Sequence, residues 1–456
     1  VSAEPPAGPR PPGDDELAAC LRVLARAREA DPDDPAWTEV HRAAEQTRRA
    51  AKKARRAARR AERRAHDLAA LATAERFREQ NPSPAPALGP PAGTARPVLR
   101  GARACYVCKE PYREVDSEYH QLCAACAEEN RERRHARCDL RGRVALVTGG
   151  RIKIGFQLVL KLLRDGAEVV VTTRFPRDAA RRFAAVPDAA DWLDRLHVHG
   201  VDLLDLPSVA GLLEAVEARF DHLDVLVNNA AQTVRRPAAY HREVRGREGA
   251  PLLGRAARVD VAESARAAVP ALMPASDPAL FPSGQVDETG EPLDLRDRNS
   301  WTLRLHEIDP GEWLETQLVN AFAPFLLTSR LRGMLTASPF PDRYVVQVSA
   351  MEGSFARANK TVRHAHTNMA KAALNMLVRT AAADYAADGV HMTAVDTGWV
   401  TDERPHPDRA AQRAAGFRPP LDAIDGAARV YDPIVRGVRG ERLSGVFLKD
   451  YRPTAW

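Results

Sequence analysis

A chain of 456 residues, 45% of them hydrophobic, is too long for one ordinary domain and apolar enough to bury a sizeable core, so two or three domains are expected. No apolar run approaches bilayer-spanning length, and the Pro- and Asp-rich start lacks a signal-like apolar stretch, which predicts a soluble, cytoplasmic protein without a membrane segment. The net charge of +6 is modest but unevenly spread, and four of the six cysteines stand in two C-x2-C pairs, which points to a metal rather than to disulfides.

Residues 1–13 are Pro-rich and read as disordered. Residues 14–80 read as a basic helical extension. Leu17, Cys20, Leu21 and Leu24 share one helical face, with Asp14 or Asp15 as N-cap, and the stretch Asp31 to Pro35 breaks that helix. A longer helix is expected from about Pro35 to Gln80. Along it Ala51, Ala54, Ala58, Ala61, Ala65, Leu68 and Ala72 keep a heptad spacing, a seam of small residues that buries little area. Arg48, Arg49, Lys52, Lys53, Arg55, Arg56, Arg59, Arg60, Arg63 and Arg64 occupy the other faces. Such a run suits nucleic acid or an acidic partner. It equally suits a solvated helix packed on the first helix or on another subunit. The absence of interleaved aromatic residues and of any base-reading motif weighs toward the second. Residues 81–100, rich in Pro, Ala and Gly, read as a linker.

Residues 101–137 contain Cys105, Cys108, Cys123 and Cys126. Two thiolate pairs at this spacing can close a tetrahedral site with no open position, so a structural zinc knuckle is expected. A segment this short and charged could not bury a core without such a staple. His120 reads as a surface residue or a donor to the ligands, and Cys20 and Cys138 as plain small residues.

From residue 138 to 456 strands and helices alternate, which argues for an α/β domain built on a doubly wound parallel sheet. The apolar run Val144 to Val147 reads as a buried strand. It is followed by a Gly-containing turn, a helix over Phe156 to Leu163, and a second strand from Glu168 to Arg174. A strand, a tight turn and a helix start form a pyrophosphate site, because free N–H groups and the helix dipole face the anion.

Thr148-Gly149-Gly150-Arg151-Ile152-Lys153-Ile154-Gly155 resembles the T-G-x-x-x-G-x-G start of the short-chain dehydrogenase/reductase family, with Lys153 at the middle glycine. The resemblance covers nearly all of residues 138–456 and implies a Rossmann-type fold and an NAD(P)-dependent oxidoreductase acting on a small-molecule substrate. It places Thr148, Gly149, Arg151, Lys153, Ile154 and Gly155 at the dinucleotide. Arg174 stands where NAD-preferring members carry an acidic residue. With Arg151, Lys153 and Arg177 nearby, it implies NADP(H) over NAD(H). Asp202 and Leu203 would meet the adenine, and Asn228, Asn229 and Ala230 lie in an N-N-A-G-like segment in which Ala231 replaces glycine. Residues 232–299 depart from the family and read as a lid or partner-binding insertion, or as a disordered surface loop.

The resemblance also sets the expected reaction centre. Asn320 would hold a water in the proton relay, Ser349 would bind the substrate oxygen, and Lys371 would grip the ribose and tune the acid. The tyrosine of Y-x-x-x-K is Thr367, a far weaker acid than a phenol with its pKa near ~10. His364 shares a helical face with Thr367 and Lys371 and could serve as the acid, or it could cap the helix; His366 points elsewhere by the same spacing. Gly398 and Thr401 match the segment that contacts the nicotinamide, with Thr397 in place of proline. Three readings stay open: an oxidoreductase with an altered proton donor, a catalytically degenerate NADP(H)-binding sensor or scaffold, and a nucleic-acid-binding or scaffold protein using the basic helix. The family likeness and the heptad seam also suggest a homo-oligomer.

Overall fold

Val144–Thr148, with every residue buried, lies in the interior of a nine-stranded sheet, because a run apolar on both faces is stable only where helices cover both sides. A computed structural model describes residues 11–78, 96–264, 277–287 and 290–456. The expected disordered start up to residue 10 and the linker up to residue 95 lie outside the described residues. The chain divides into two compact units, Val1–Ala69 and Ala70–Trp456.

In the first unit the helix Asp14–Glu29 is capped at Gly13, whose N–H donates to Glu16 Oε2 at 3.0 Å; Asp14 and Asp15 stand in the first turn rather than at the cap. Leu17, Leu21 and Leu24, expected as a packed face, are exposed. The second helix, Thr38–Leu71, stops short of the predicted end, and Ala51, Ala54, Ala58, Ala61 and Ala65 are exposed along it.

The second unit opens with β1 (Val98–Ala104) and β2 (Pro111–Glu114), an antiparallel pair, followed by the helix Ala124–Arg134. The sheet strands are β3 (Val144–Thr148), β4 (Glu168–Thr173), β5 (Leu196–Gly200), β6 (Val225–Asn228), β7 (Asp260–Glu263), β8 (Arg343–Ser349), β9 (Val390–Asp396), β10 (Val446–Lys449) and β11 (Arg452–Thr454). Their order is β11-β10-β9-β8-β6-β3-β4-β5-β7, parallel except for β10 against β11. The chain runs outward from β3 in both directions, so β3 and β6 flank the switch point where such sheets bind ligands. One face is covered by the helices Lys153–Arg164 and Ala423–Val438 through Leu158, Leu162, Val430 and Ile434. The other is covered through Val209, Leu212, Leu327, Val378 and Ala382. Among the described residues no helix is long and apolar enough to cross a membrane.

Among its described residues the insertion is not a structureless loop. It carries the helix Arg242–Glu248 and the edge strand β7, whose Asp260 to Glu263 pair in register with His197 to Gly200. A four-residue charged edge strand has no apolar run to announce it.

The small cysteine-bearing segment is joined to the large domain. Leu99, Tyr112, Tyr119 and Leu122 share a core with Leu71, Ala74 and Leu421. Arg134 donates to Asp422 (2.7 Å) and Asp425 (2.9 Å), Tyr119 Oη donates to Asp425 (2.7 Å), and Arg76 pairs with Asp422 (2.7 Å) and Glu118 (3.0 Å). These ion pairs sit at the N-terminus of the helix Ala423–Val438, where Asp422 also accepts the Asp425 N–H as its cap.

Candidate functional site

The turn after β3 is tied to the turn after β6. Thr148 Oγ1 accepts the N–H groups of Asn229 and Ala230, each at 3.0 Å, and Asn229 Nδ2 donates to the carbonyls of Thr148 and Gly149, each at 3.0 Å. Gly149 has φ +69°, and a Cβ there would stand 2.9 Å from Ala230 Cα; a Cβ on Gly155 would stand 2.3 Å from the Gly149 carbonyl oxygen. Both glycines are therefore required by the close approach of the two turns, at the switch point itself. Lys153 takes φ +52°, the left-handed region that explains the family's glycine there and costs a side chain roughly 1–2 kcal/mol. Its ammonium lies 3.5 Å from Glu403. Burial pushes the Glu403 carboxyl up, but Lys153 and Arg236 outweigh it and hold it down to about 2. Ile154 packs toward Gly426 of the helix Ala423–Val438.

At the end of β4, Arg174 is exposed, with Nη2 3.4 Å from His241 Nε2 of the insertion. Arg151, expected at the cofactor, is instead buried between two carboxylates, donating to Asp178 at 2.6 Å and to Glu291 of the insertion at 2.8 Å. Its charge is thereby neutralised inside the fold. Asp202 follows β5 and accepts the Leu204 N–H at 3.1 Å; Leu203 beside it is buried.

The expected reaction centre is only partly assembled. Lys371 is buried and its Nζ donates to the Val348 carbonyl at 2.7 Å; burial pulls its pKa down to about 8 against the opposing charge of Glu352. Ser349 is 2% exposed, and its hydroxyl donates to Asn375 Oδ1 at 2.6 Å, so it faces into the protein. The pleat turns the next side chain the other way, and that residue is Ala350, which has no hydroxyl. Thr367 is 1% exposed, with Oγ1 3.5 Å from His366 Nε2. The pairing expected for His364 thus falls to His366. His364 occupies the N-cap position of the helix Ala365–Ala387 with φ +43°, and its ring stacks on Trp301 with centroids 4.2 Å apart. This left-handed cap turns the His364 side chain off the helical face that spacing alone assigned to it. Asn320 sits in a π-helical turn, Leu318–Phe322. Its side-chain amide is closed on the backbone of Gln232, accepting N–H at 2.6 Å and donating to C=O at 3.0 Å, so it anchors the start of the insertion. The roles of Asn375, His366 and Trp301 carry no sequence signal, since each is set by a partner distant in the chain or by the helix start.

After β9, Gly398 has φ +76°, and a Cβ there would meet Leu421 Cδ1 at 2.6 Å and Tyr106 Oη at 3.5 Å. Thr401 Oγ1 donates to Glu403 at 2.8 Å. Tyr106 lies between Cys105 and Cys108. The four sulfurs of Cys105, Cys108, Cys123 and Cys126 lie within 4.8 Å of one another, none in a disulfide, and the Cys123 N–H points at Cys105 Sγ at 3.3 Å. This is a set of ligands that could hold one metal ion.

The short chain dehydrogenase family matches residues 143–245, and the related enoyl-(acyl carrier protein) reductase family matches residues 298–417. The chain belongs to the short-chain dehydrogenase/reductase family. The stretch between the two matches falls within the insertion. Among relatives of this family member, an uncharacterized protein, R665, of Acanthamoeba polyphaga mimivirus is 33% identical over 344 residues, covering 73% of this chain and 71% of its own. Carbonyl reductase [NADPH] 1 of Sus scrofa is 46% identical over 90 residues, 20% of this chain and 30% of that one. (+)-Neomenthol dehydrogenase of Capsicum annuum is 31% identical over 90 residues, 19% and 28%. The matches to these named enzymes therefore span less than a third of their length. Carbonyl reductase Sniffer of D. melanogaster has a solved structure with 17% identity and a TM-score of 0.45, covering 69% of this chain and 100% of that one.

Proposed function

We propose that this short-chain dehydrogenase/reductase binds NADP(H) at the C-terminal ends of β3, β4 and β6 and transfers hydride between it and a carbonyl or alcohol substrate. The observation that carries the reading is the pair of turns at the switch point, fastened by Thr148 and Asn229 and packed so closely at Gly149 and Gly155 that neither position admits a Cβ, beside the N-terminus of the helix Lys153–Arg164. Arg174, exposed at the end of β4, would take the 2′-phosphate, and Asp202 and Leu203 the adenine. Asn229 and Ala230 would flank the ribose, with Gly398 and Thr401 on the nicotinamide side. When bound, the dinucleotide supplies the hydride. The proton falls to the protein, and of the five expected catalytic side chains Lys371 is the one whose pKa, about 8, lets it donate near neutrality. His366 is held neutral, its pKa lowered to about 4 by burial and by His364.

A second reading, dinucleotide binding without turnover as a sensor or scaffold, is favoured by the inward-facing hydroxyls of Ser349 and Thr367. Following NADPH absorbance against a panel of aldehydes and ketones separates the two. Turnover abolished by Lys371→Ala supports the enzyme. Saturable NADPH binding with no turnover on any carbonyl supports the sensor.

The four cysteines suit a structural zinc. Cys108 Sγ and Cys123 Sγ are 3.7 Å apart, and a tetrahedral site with Zn–S near ~2.3 Å has sulfur–sulfur edges of about 3.8 Å.

A further inference from the structure

The helix Thr38–Leu71 is built from strong helix formers, and from Arg48 to Arg64 it carries ten arginines and lysines, every one exposed. At 3.6 residues per turn these ten cations fall within about 180° of the helix circumference. The alanines from Ala50 to Ala65 fill the other half and are exposed as well. A surplus of alanine and arginine in the composition would scatter both around the helix. Here the two kinds are sorted onto opposite faces.

The cationic face lacks counter-charges in its middle. No acidic residue stands between Gln46 and Ala61. Arg48 and Arg49 share Glu45, each at 2.7 Å, and Arg63 faces Asp67 at 3.9 Å. Lys52, Lys53, Arg55, Arg56, Arg59 and Arg60 have no ion-pair partner among the described residues. Three- and four-residue spacing sets Lys52 beside Arg55 and Arg56, and Arg56 beside Arg59 and Arg60, so like charges repel along the face. A polyanion relieves that repulsion.

The shape of the face narrows the choice of polyanion. A helix about 10–12 Å across with its side chains enters the major groove of B-DNA, which is about 12 Å wide and walled by phosphates on both sides, so a half-cylinder of cations meets both walls. The deep, narrow major groove of duplex RNA does not admit it. The helix has no Phe, Tyr or Trp on which the bases of a single strand would stack. Its opposite face, alanine without Leu, Ile or Phe between Gln46 and Asp67, has nothing large to insert into a bilayer. A second helix packed on the alanines would leave the cations uncovered.

We propose that the cationic face of the helix Thr38–Leu71 docks in the major groove of duplex DNA and holds it through the phosphates, without reading the bases.

The test is fluorescence anisotropy of a labelled, mixed-sequence DNA duplex titrated with the full-length protein at rising salt. Six cations engaged with phosphates give a slope of log affinity on log salt of about −5, and affinity should fall about 10³-fold between roughly 50 and 200 mM salt. A variant combining Arg55→Gln, Arg56→Gln, Arg59→Gln and Arg60→Gln keeps good helix formers. With two of the six left, its slope should shrink to about −2, and circular dichroism should show unchanged helix content. Wild type that does not bind the duplex, or a folded variant that keeps the wild-type affinity and slope, would overturn the proposal. Equal or tighter binding to duplex RNA, or to vesicles rich in phosphatidylserine, would overturn the choice of DNA.

Discussion

The backbone N–H of Trp399 donates to the hydroxyl of Tyr106 at 2.9 Å. Tyr106 stands between the first two cysteines of the four-sulfur cluster, and Trp399 in the loop that leaves β9 toward the proposed nicotinamide side. Lys449 reaches the same ring, 5.5 Å from its centroid, and pairs with Asp396 at the end of β9 at 3.4 Å. The cysteine segment is thus fixed to the wall of the candidate site.

If the four cysteines hold the zinc proposed above, stripping it should act on both stability and cofactor binding. Treatment with a strong zinc chelator is expected to lower Tm by about 5 °C or more, as loss of a structural metal does. It should also weaken NADPH binding measured by fluorescence titration. Tm and affinity both unmoved by complete metal removal would contradict this link. Tyr106→Phe isolates the contact, and one hydrogen bond of this kind contributes about 1 kcal/mol, so a several-fold loss of affinity with metal content unchanged is expected.

Lys153 carries two opposed effects that substitution can separate. Lys153→Met removes the charge beside Glu403 and keeps the φ of +52° on a residue with a side chain. Lys153→Gly removes the charge and relieves the strain. Gly should therefore be the more stable of the two by about 1 kcal/mol in urea unfolding. Equal stabilities would show that the left-handed backbone is unstrained.

The Glu403 carboxyl is held at about 2, below its ordinary 4.5. Between those values the unfolded chain binds more protons than the folded one. The stabilisation from Glu403 is complete above pH 4.5 and is lost as pH falls toward 2. Lys153→Met should shrink that acid-side slope. An unchanged slope in the variant would exclude the pair as its source.

Lys371 gives a slope of the opposite origin. Burial lowers its pKa from 10.5 to about 8, so the folded state holds fewer protons than the unfolded across that window, and this group makes the protein more stable as pH rises from 8 to 10.5. The cost of keeping it charged at pH 7 is roughly 1–3 kcal/mol. Lys371→Met should raise Tm at pH 7, flatten the alkaline slope and abolish turnover. A variant less stable than wild type at pH 7 would show that the bond to Val348 outweighs the burial of charge.

Ser349→Ala should leave kcat/KM within a few-fold of wild type while costing about 1–2 kcal/mol of stability, because it leaves Asn375 Oδ1 without its donor. A loss of roughly 10²-fold or more in kcat/KM, the range of acid–base assistance, would place this hydroxyl on the substrate.

The sheet was legible in the sequence because its central strands are runs such as Val144 to Val147, buried on both faces, and the first turn was legible because its glycines answer a steric need. Side-chain direction was not. Ser349 ends the strand as spacing predicts, but the pleat points its hydroxyl to Asn375. His364 follows helical spacing to Thr367 only until its left-handed backbone turns it onto Trp301. Arg151 looked like a phosphate ligand in the local motif, and the carboxylate of Glu291 that claims it lies 140 residues away. Pairings at that separation, like Arg134 with Asp422 and Asp425, leave no local periodicity to read.

The most direct measurement is titration of the purified wild-type protein with NADPH and with NADH. Saturable binding of NADPH at least about tenfold tighter than NADH, the discrimination a guanidinium contact to the extra phosphate supplies, is the result expected of the glycine-packed turns at the switch point with Arg174 at the end of β4. No binding of either dinucleotide, in protein shown to be folded and metal-loaded, would contradict it.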